Sequence, residues 1–308
     1  MAQSNQQARS WLDPDFPRGD AREMFASISA ATPLPRAAVD SFVTSKLRAL
    51  RTHPLPSAER ERLTEGFITR MQIAPSVLDS LPGGGGVGYG MFYDPNFRTA
   101  FQTGTGIAWG IVFSVPPGGN VLNWLYLTAM NRASLGAEAF IAYNGQNDIS
   151  FNVFDWAIPG WKVHVPIAQI GNYVGSVTAN GMQFPTVQVA TLTYQANGLW
   201  VNQVRVLNHS TNIADVAYEN QYPASFPQQV GSFTGSWAPI IETFQARYSD
   251  TNPMGCNNAK FATMGPDGTW PWSQLTPANV VPRSDENGFA ALFVDPVDPA
   301  SSWLVRAN

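Results

Sequence analysis

From Gly83 onward the chain is a succession of short apolar runs cut apart by Gly, Pro, Asn and Asp. The clearest are Ile107–Val115, Val121–Ala129, Ala137–Tyr143, Ser150–Trp156, Trp161–Val165, Val187–Tyr194, Leu199–Asn208, Ala214–Tyr218, Ser236–Gln245 and Ala290–Val294. Turn signals stand between them, among them Pro117-Gly118-Gly119-Asn120, Asn144-Gly145-Gln146-Asn147 and Pro266-Asp267-Gly268. Runs this short, without a helical period, read as strands. Ten of them at this spacing predict a mainly β protein: a two-sheet antiparallel β-sandwich of the concanavalin-like or jelly-roll kind. In Leu199–Asn208 the alternation puts Trp200, Val204 and Val206 on one face, with Gln203, Arg205 and His209 on the other.

Before Gly83 the pattern changes. Asp20 reads as the cap of a helix through AREMFASISAA, and Pro35 opens a second, whose Val39, Phe42, Val43, Leu47 and Leu50 share a face. Ser57 caps a third, with Leu63, Phe67 and Met71 as its apolar stripe. The expected organisation is a helical segment over 1–82 and a sandwich over 83–308. The helical faces suit docking on the body or oligomerisation. Gly83-Gly84-Gly85-Gly86-Val87-Gly88 contains a G-x-G-x-x-G string, but YGMFYDPNF follows it where a dinucleotide site needs a helix, so it reads as a linker.

Composition excludes several functions. A net charge of −4 and a pI near 5.3 leave no basic stripe for nucleic acid. No window approaches the roughly 18 apolar residues of a membrane span. The opening residues MAQSNQQARSWLDPDFPRGD lack the apolar stretch of a secretory leader, so the expected location is cytoplasmic unless the chain is processed or exported by another route. The single Cys256, in NPMGCNN, reads as a small thiol in a loop and rules out a disulfide framework or a Cys-rich zinc site. The three histidines, His53, His164 and His209, show no ligand spacing, and no cofactor is expected. A loop calcium site at Asp148 or Asp250 has no pattern behind it.

Carboxylates are the sharper signal. From Gly83 on there are only eight Lys/Arg and thirteen Asp/Glu, and only four of the acids are glutamates: Glu138, Glu219, Glu242 and Glu286. Glu138 and Glu242 each sit alone in an otherwise uncharged strand, beside Phe140 in one case and Ile240 and Phe244 in the other. An apolar cleft that brought two such acids together would let one hold a proton while the other activates water. The bland alternative is a pair of solvated or structurally paired glutamates. The aromatic surplus has two readings as well. Trp109, Trp124, Trp156, Trp161 and Trp200 fit core packing, or a concave face that stacks on sugars with Asn152, Asn202, Gln203 and Arg205 as exposed polar partners.

The runs Val189–Tyr194, Trp200–Asn208 and SWAPIIETF together resemble the middle of the glutamic peptidase fold, and Trp237, Ile241, Glu242 and Phe244 match the strand that carries the catalytic glutamate. The resemblance covers roughly 104–245. It implies a sandwich with Glu242 as catalytic base. Gly136–Phe140, Asn144-Gly145-Gln146 and Phe151–Trp156 resemble the earlier strand pair bearing the partner glutamine. Ser134 stands where that glutamine would be, and Glu138 is the substitute, as in the Glu–Glu pair of neprosin-type peptidases. The expectation is a hydrolase of glutamic-peptidase type acting on a polymer. Glu242 and Glu138 are its catalytic residues, and Trp200, Gln203, Arg205, Tyr194 and Trp237 bind substrate. Tyr194, Gln203 or Arg205 would steady the oxyanion. The alternatives are a lectin-like, non-catalytic sandwich that binds carbohydrate or another polymer, and an assembly protein that oligomerises through its helical prefix.

Overall fold

A computed structural model describes residues 10–36, 39, 40, 42, 43, 47, 57–72, 89–93, 104–113, 123–130, 136–143, 149–158, 160–179, 182–223, 238–245, 254–274, 280–284, 289–293 and 303–307. The linker string at 83–88, His53, Asp148, Trp237 and Asp250 lie outside them. The strands are β1 (Arg18–Asp20), β2 (Tyr89–Tyr93), β3 (Gly104–Val112), β4 (Asn123–Met130), β5 (Ala137–Tyr143) and β6 (Ile149–Asp155). They continue as β7 (Gly160–Pro166), β8 (Gly175–Ala179), β9 (Met182–Ala196), β10 (Leu199–Asn208), β11 (Ile213–Pro223) and β12 (Ala238–Gln245). The last are β13 (Met254–Thr263), β14 (Ser273–Gln274), β15 (Val280–Ser284), β16 (Phe289–Phe293) and β17 (Trp303–Ala307). Helices α1 (Arg22–Ala31) and α2 (Ser57–Met71) precede most of them, with further helical residues between 36 and 47.

The protein is mainly β, as expected, and two sheets form its body. The larger runs β1-β11-β10-β9-β3-β13-β17-β16, with β8 on β9 and β14 on β13, while the smaller runs β12-β4-β5-β6-β7. A separate ribbon pairs β15 with β2. All ten sequence-predicted strands are present, and Ala137–Tyr143 has the expected bounds. Hairpin β9–β10 turns on Asn197 and Gly198, both at positive φ (51° and 73°), the conformation a two-residue hairpin loop needs.

Between the sheets lies the core. Ala137, Ala139, Ile141, Phe151, Val153, Val163 and Val165 of the smaller sheet meet Trp109, Ile111, Val187, Val189, Val204 and Val206 of the larger. Each of these strands therefore has a core face and an outer face. Phe25 of α1 completes the same core, edge-on to Phe151 and Tyr173 at 5.9 and 5.3 Å.

Two local expectations change. Asp20 is not the cap of α1: it belongs to β1, which adds in parallel to β11, and the residue before the helix is Ala21, without a side-chain capping bond. The Asp20 carboxylate still accepts from the Arg22 N–H at 3.1 Å. Cys256 lies within β13 rather than in a loop.

Candidate functional site

The outer face of the smaller sheet gathers the residues of greatest interest. Backbone register aligns Glu242, Tyr126, Phe140, Asn152 and His164 in one row across all five strands. The row two residues along holds Ile240, Thr128, Glu138 and Phe154. Glu138 alternates with Ala137 and Ala139, which enter the core, so its side chain lies on the outer face. It is fully buried there. Glu242 and Glu138 thus occupy one sheet, two strands and two residues apart.

Aromatic cover buries this face. Phe42, from the helical residues 36–47, stacks on Phe140 at 5.4 Å and packs against Phe154 and Trp161 at 4.8 and 4.5 Å. Phe42 and Leu47, expected on the apolar face of their helix, are both fully buried. Beside them the His164 ring nitrogen Nδ1 meets Asn152 Oδ1 at 2.7 Å, and Asn152 Nδ2 donates to Ser150 Oγ at 3.0 Å. The His164 backbone N–H donates to Ser29 Oγ of α1 at 2.9 Å. Nothing in WKVHV marks His164 as part of a polar row; only the register shows it.

The expected binding residues assemble elsewhere. Tyr194, Gln203 and Arg205 do come together, on the outer face of the larger sheet. Gln203 Oε1 accepts from Arg205 Nε at 2.5 Å, Gln203 Nε2 donates to Glu219 at 2.5 Å, and Tyr194 bonds to Arg205. With the whole core between, these groups do not reach the Glu138 face, so the expected oxyanion role beside Glu138 falls away. Trp200 points into the core, because its parity is that of Val204 and Val206, and is no surface platform for a sugar. Asn152, Asn202, Gln203 and Arg205, expected as exposed partners, are all buried. Trp109 and Trp156 are core residues.

A polar centre that sequence reasoning missed lies inside the sandwich. Asp155, fully buried at the end of β6, accepts from Tyr218 Oη at 2.6 Å, Tyr222 Oη at 2.5 Å, Asn202 Nδ2 at 3.1 Å and the Ala157 N–H at 2.8 Å. Asn202 accepts in turn from Thr193 Oγ1 at 2.8 Å. The carboxylate thus ties the smaller sheet to β10 and β11 of the larger, and through Asn202 to β9. Burial pushes its pKa up, against the downward pull of these bonds. The available signal was Asn202, a polar residue with the parity of core positions. Among the described residues no group of three or more His, Cys, Asp or Glu is arranged to hold a metal ion. No described helix is long and apolar enough to cross a membrane.

No protein-family model matches the chain, and no curated protein matches it. Among solved structures it is similar to scytalido-glutamic peptidase, crystallised with a transition-state analogue inhibitor. The likeness spans 73% of this chain and 98% of that one, at 7% identity and a TM-score of 0.34. It is also similar to the enzymatically active domain of tailspike protein 2 of bacteriophage CBA120 (13% identity, 56% of this chain, TM-score 0.23). The chain spans only 24% of that domain and 21% of the full-length tailspike, so its likeness there is to a part.

Proposed function

We propose that this protein is a hydrolase of glutamic-peptidase type, with Glu242 as the base toward water and Glu138 as its acidic partner on the outer face of the smaller sheet. The carrying observation is the register: acids 104 residues apart in the chain stand on one sheet in rows of the same parity. Strand spacing of about 4.8 Å and a rise of about 3.4 Å per residue separate their backbone positions by about 12 Å. The row of Asn152 and His164 supplies hydrogen-bonding groups on the same sheet face as Phe140 and Phe154.

One acid must hold a proton while the other accepts one, so hydrolysis is expected at acidic pH and declines as pH rises. The test is cleavage of an unfolded protein substrate across pH 2–7. Glu242→Gln is expected to lower kcat by about 100-fold or more, the scale of a lost general base, and Glu138→Gln to lower it and shift the pH profile. Full activity in Glu242→Gln would end the proposal. Because Phe42 covers the same face, substrate entry requires the helical residues around it to move aside.

A further inference from the structure

On the opposite outer surface, Arg205 is only 8% exposed, and none of its N–H groups meets a carboxylate among the described residues. Its partners are the neutral Gln203 and Tyr194. The Glu219 carboxylate acts on it only from beyond Gln203, and a buried guanidinium with no carboxylate in direct contact, beside a second arginine, favours a further anion. The nearby carboxylates are already engaged. Glu219 accepts from Gln203 at 2.5 Å and lies 3.4 Å from Arg22, Asp20 is paired with Arg22 at 2.5 Å, and Asp215 accepts from Tyr173 and Asn208. Arg18 adds a second positive charge, close enough to depress the pKa of Arg205, which burial and this neighbour bring down to about 10.

Next to these cations stands an aromatic wall. The edge of Tyr194 meets Trp270 at 5.8 Å, and Trp270 stacks with Trp272 at 6.2 Å and 21°. Both indoles are half-buried and lean on the bare backbone of Gly106, where a Cβ would stand 2.8 Å from Trp272 and 3.2 Å from Trp270. The Trp272 N–H donates to Leu12 O at 3.1 Å. Tyr194 joins the two features, its hydroxyl on Arg205 and its ring on Trp270. A flat apolar wall beside a guanidinium that touches no carboxylate directly matches a ligand with an apolar ring face and a carboxylate at its edge.

We propose that Arg205, Arg18, Tyr194, Trp270 and Trp272 form a binding site for a carboxylated saccharide unit such as a uronate. The carboxylate pairs with the arginines and the sugar ring lies on the indoles. The site is independent of Glu138 and Glu242, because the core separates the two surfaces.

The test is titration of the full chain with an oligogalacturonate, followed by calorimetry and tryptophan fluorescence. Its methyl-esterified form, inorganic phosphate and an acidic peptide serve as comparators. Saturable binding with fluorescence quenching is expected, lost on esterification and not displaced by millimolar phosphate. Arg205→Gln is expected to weaken binding by about tenfold or more, the scale of one charge-assisted pair, and Arg205→Lys by less. Trp270→Ala, at a half-buried loop position, is expected to weaken it comparably and serves where Arg205→Gln does not fold. Equal binding of the esterified oligomer, equal binding of the acidic peptide, unchanged affinity in both variants, or no binding at millimolar uronate would each overturn the proposal.

Discussion

Asp155 shows how much one residue can carry in this fold. Three of its four donors come from the larger sheet, so replacing it leaves two tyrosine hydroxyls and an amide facing a poorer acceptor. Asp155→Asn is expected to cost about 2 kcal/mol or more, measured by chemical denaturation. Burial raises its pKa in the folded state. The folded protein therefore keeps this proton to higher pH than the unfolded chain does. The resulting stabilisation is complete below about pH 4, the unfolded value, and is lost as pH climbs through the folded one. In Asp155→Asn that fall in stability with rising pH should be absent; a variant with the wild-type pH dependence would show that Asp155 is not its source. Other single residues were partly legible. Parity in Leu199–Asn208 separates Trp200 from Gln203 and Arg205, as the structure has it. Which sheet each face belongs to is set by strand order, and that leaves no local trace in a sequence.

At the scale of elements, β5 was readable because AEAFIAY is apolar apart from Glu138, the mark of a strand buried on both faces. One face meets the other sheet; the other lies under Phe42. Strand β13 was missed for the opposite reason. Gly255, Asn257 and Asn258 look like a loop, and the structure uses them for a register shift between Asn257 and Lys260, with Asn258 at φ 53°. Neighbouring Gly110 lets the Asn257 side chain lie directly on β3. Gly110→Ala should therefore destabilise by about 1–3 kcal/mol through overpacking, read as a lower denaturation midpoint. The helical cover gives a second expectation. Phe42→Ala removes a fully buried ring and should cost about 3–5 kcal/mol. On the proposed function it should also raise peptide hydrolysis, by loosening the lid over Glu138. A destabilised variant with lower hydrolysis would argue that the cover is scaffold alone.

For the molecule as a whole, residues 18–31 of the prefix are part of the body. β1 extends the larger sheet and Phe25 lies in the common core, so residues 18–31 should resist proteolysis as long as the sandwich does. The helices α1 and α2 were visible from their apolar periodicity and cap signals. How the start folds back was not, because Phe25 and Phe42 meet partners more than a hundred residues away in sequence, Phe151 and Phe154 among them.

Strand β3 carries a consequence for biogenesis. Its two neighbours, β9 and β13, begin at Met182 and Met254, yet β3 itself begins at Gly104. A nascent chain therefore displays the middle strand of its largest sheet with both flanks bare, then with one flank bare, while some 150 residues are still to be translated. Such an interval invites edge-to-edge association between neighbouring ribosomes, and a cell making this protein quickly would be expected to need a holding chaperone at that stage.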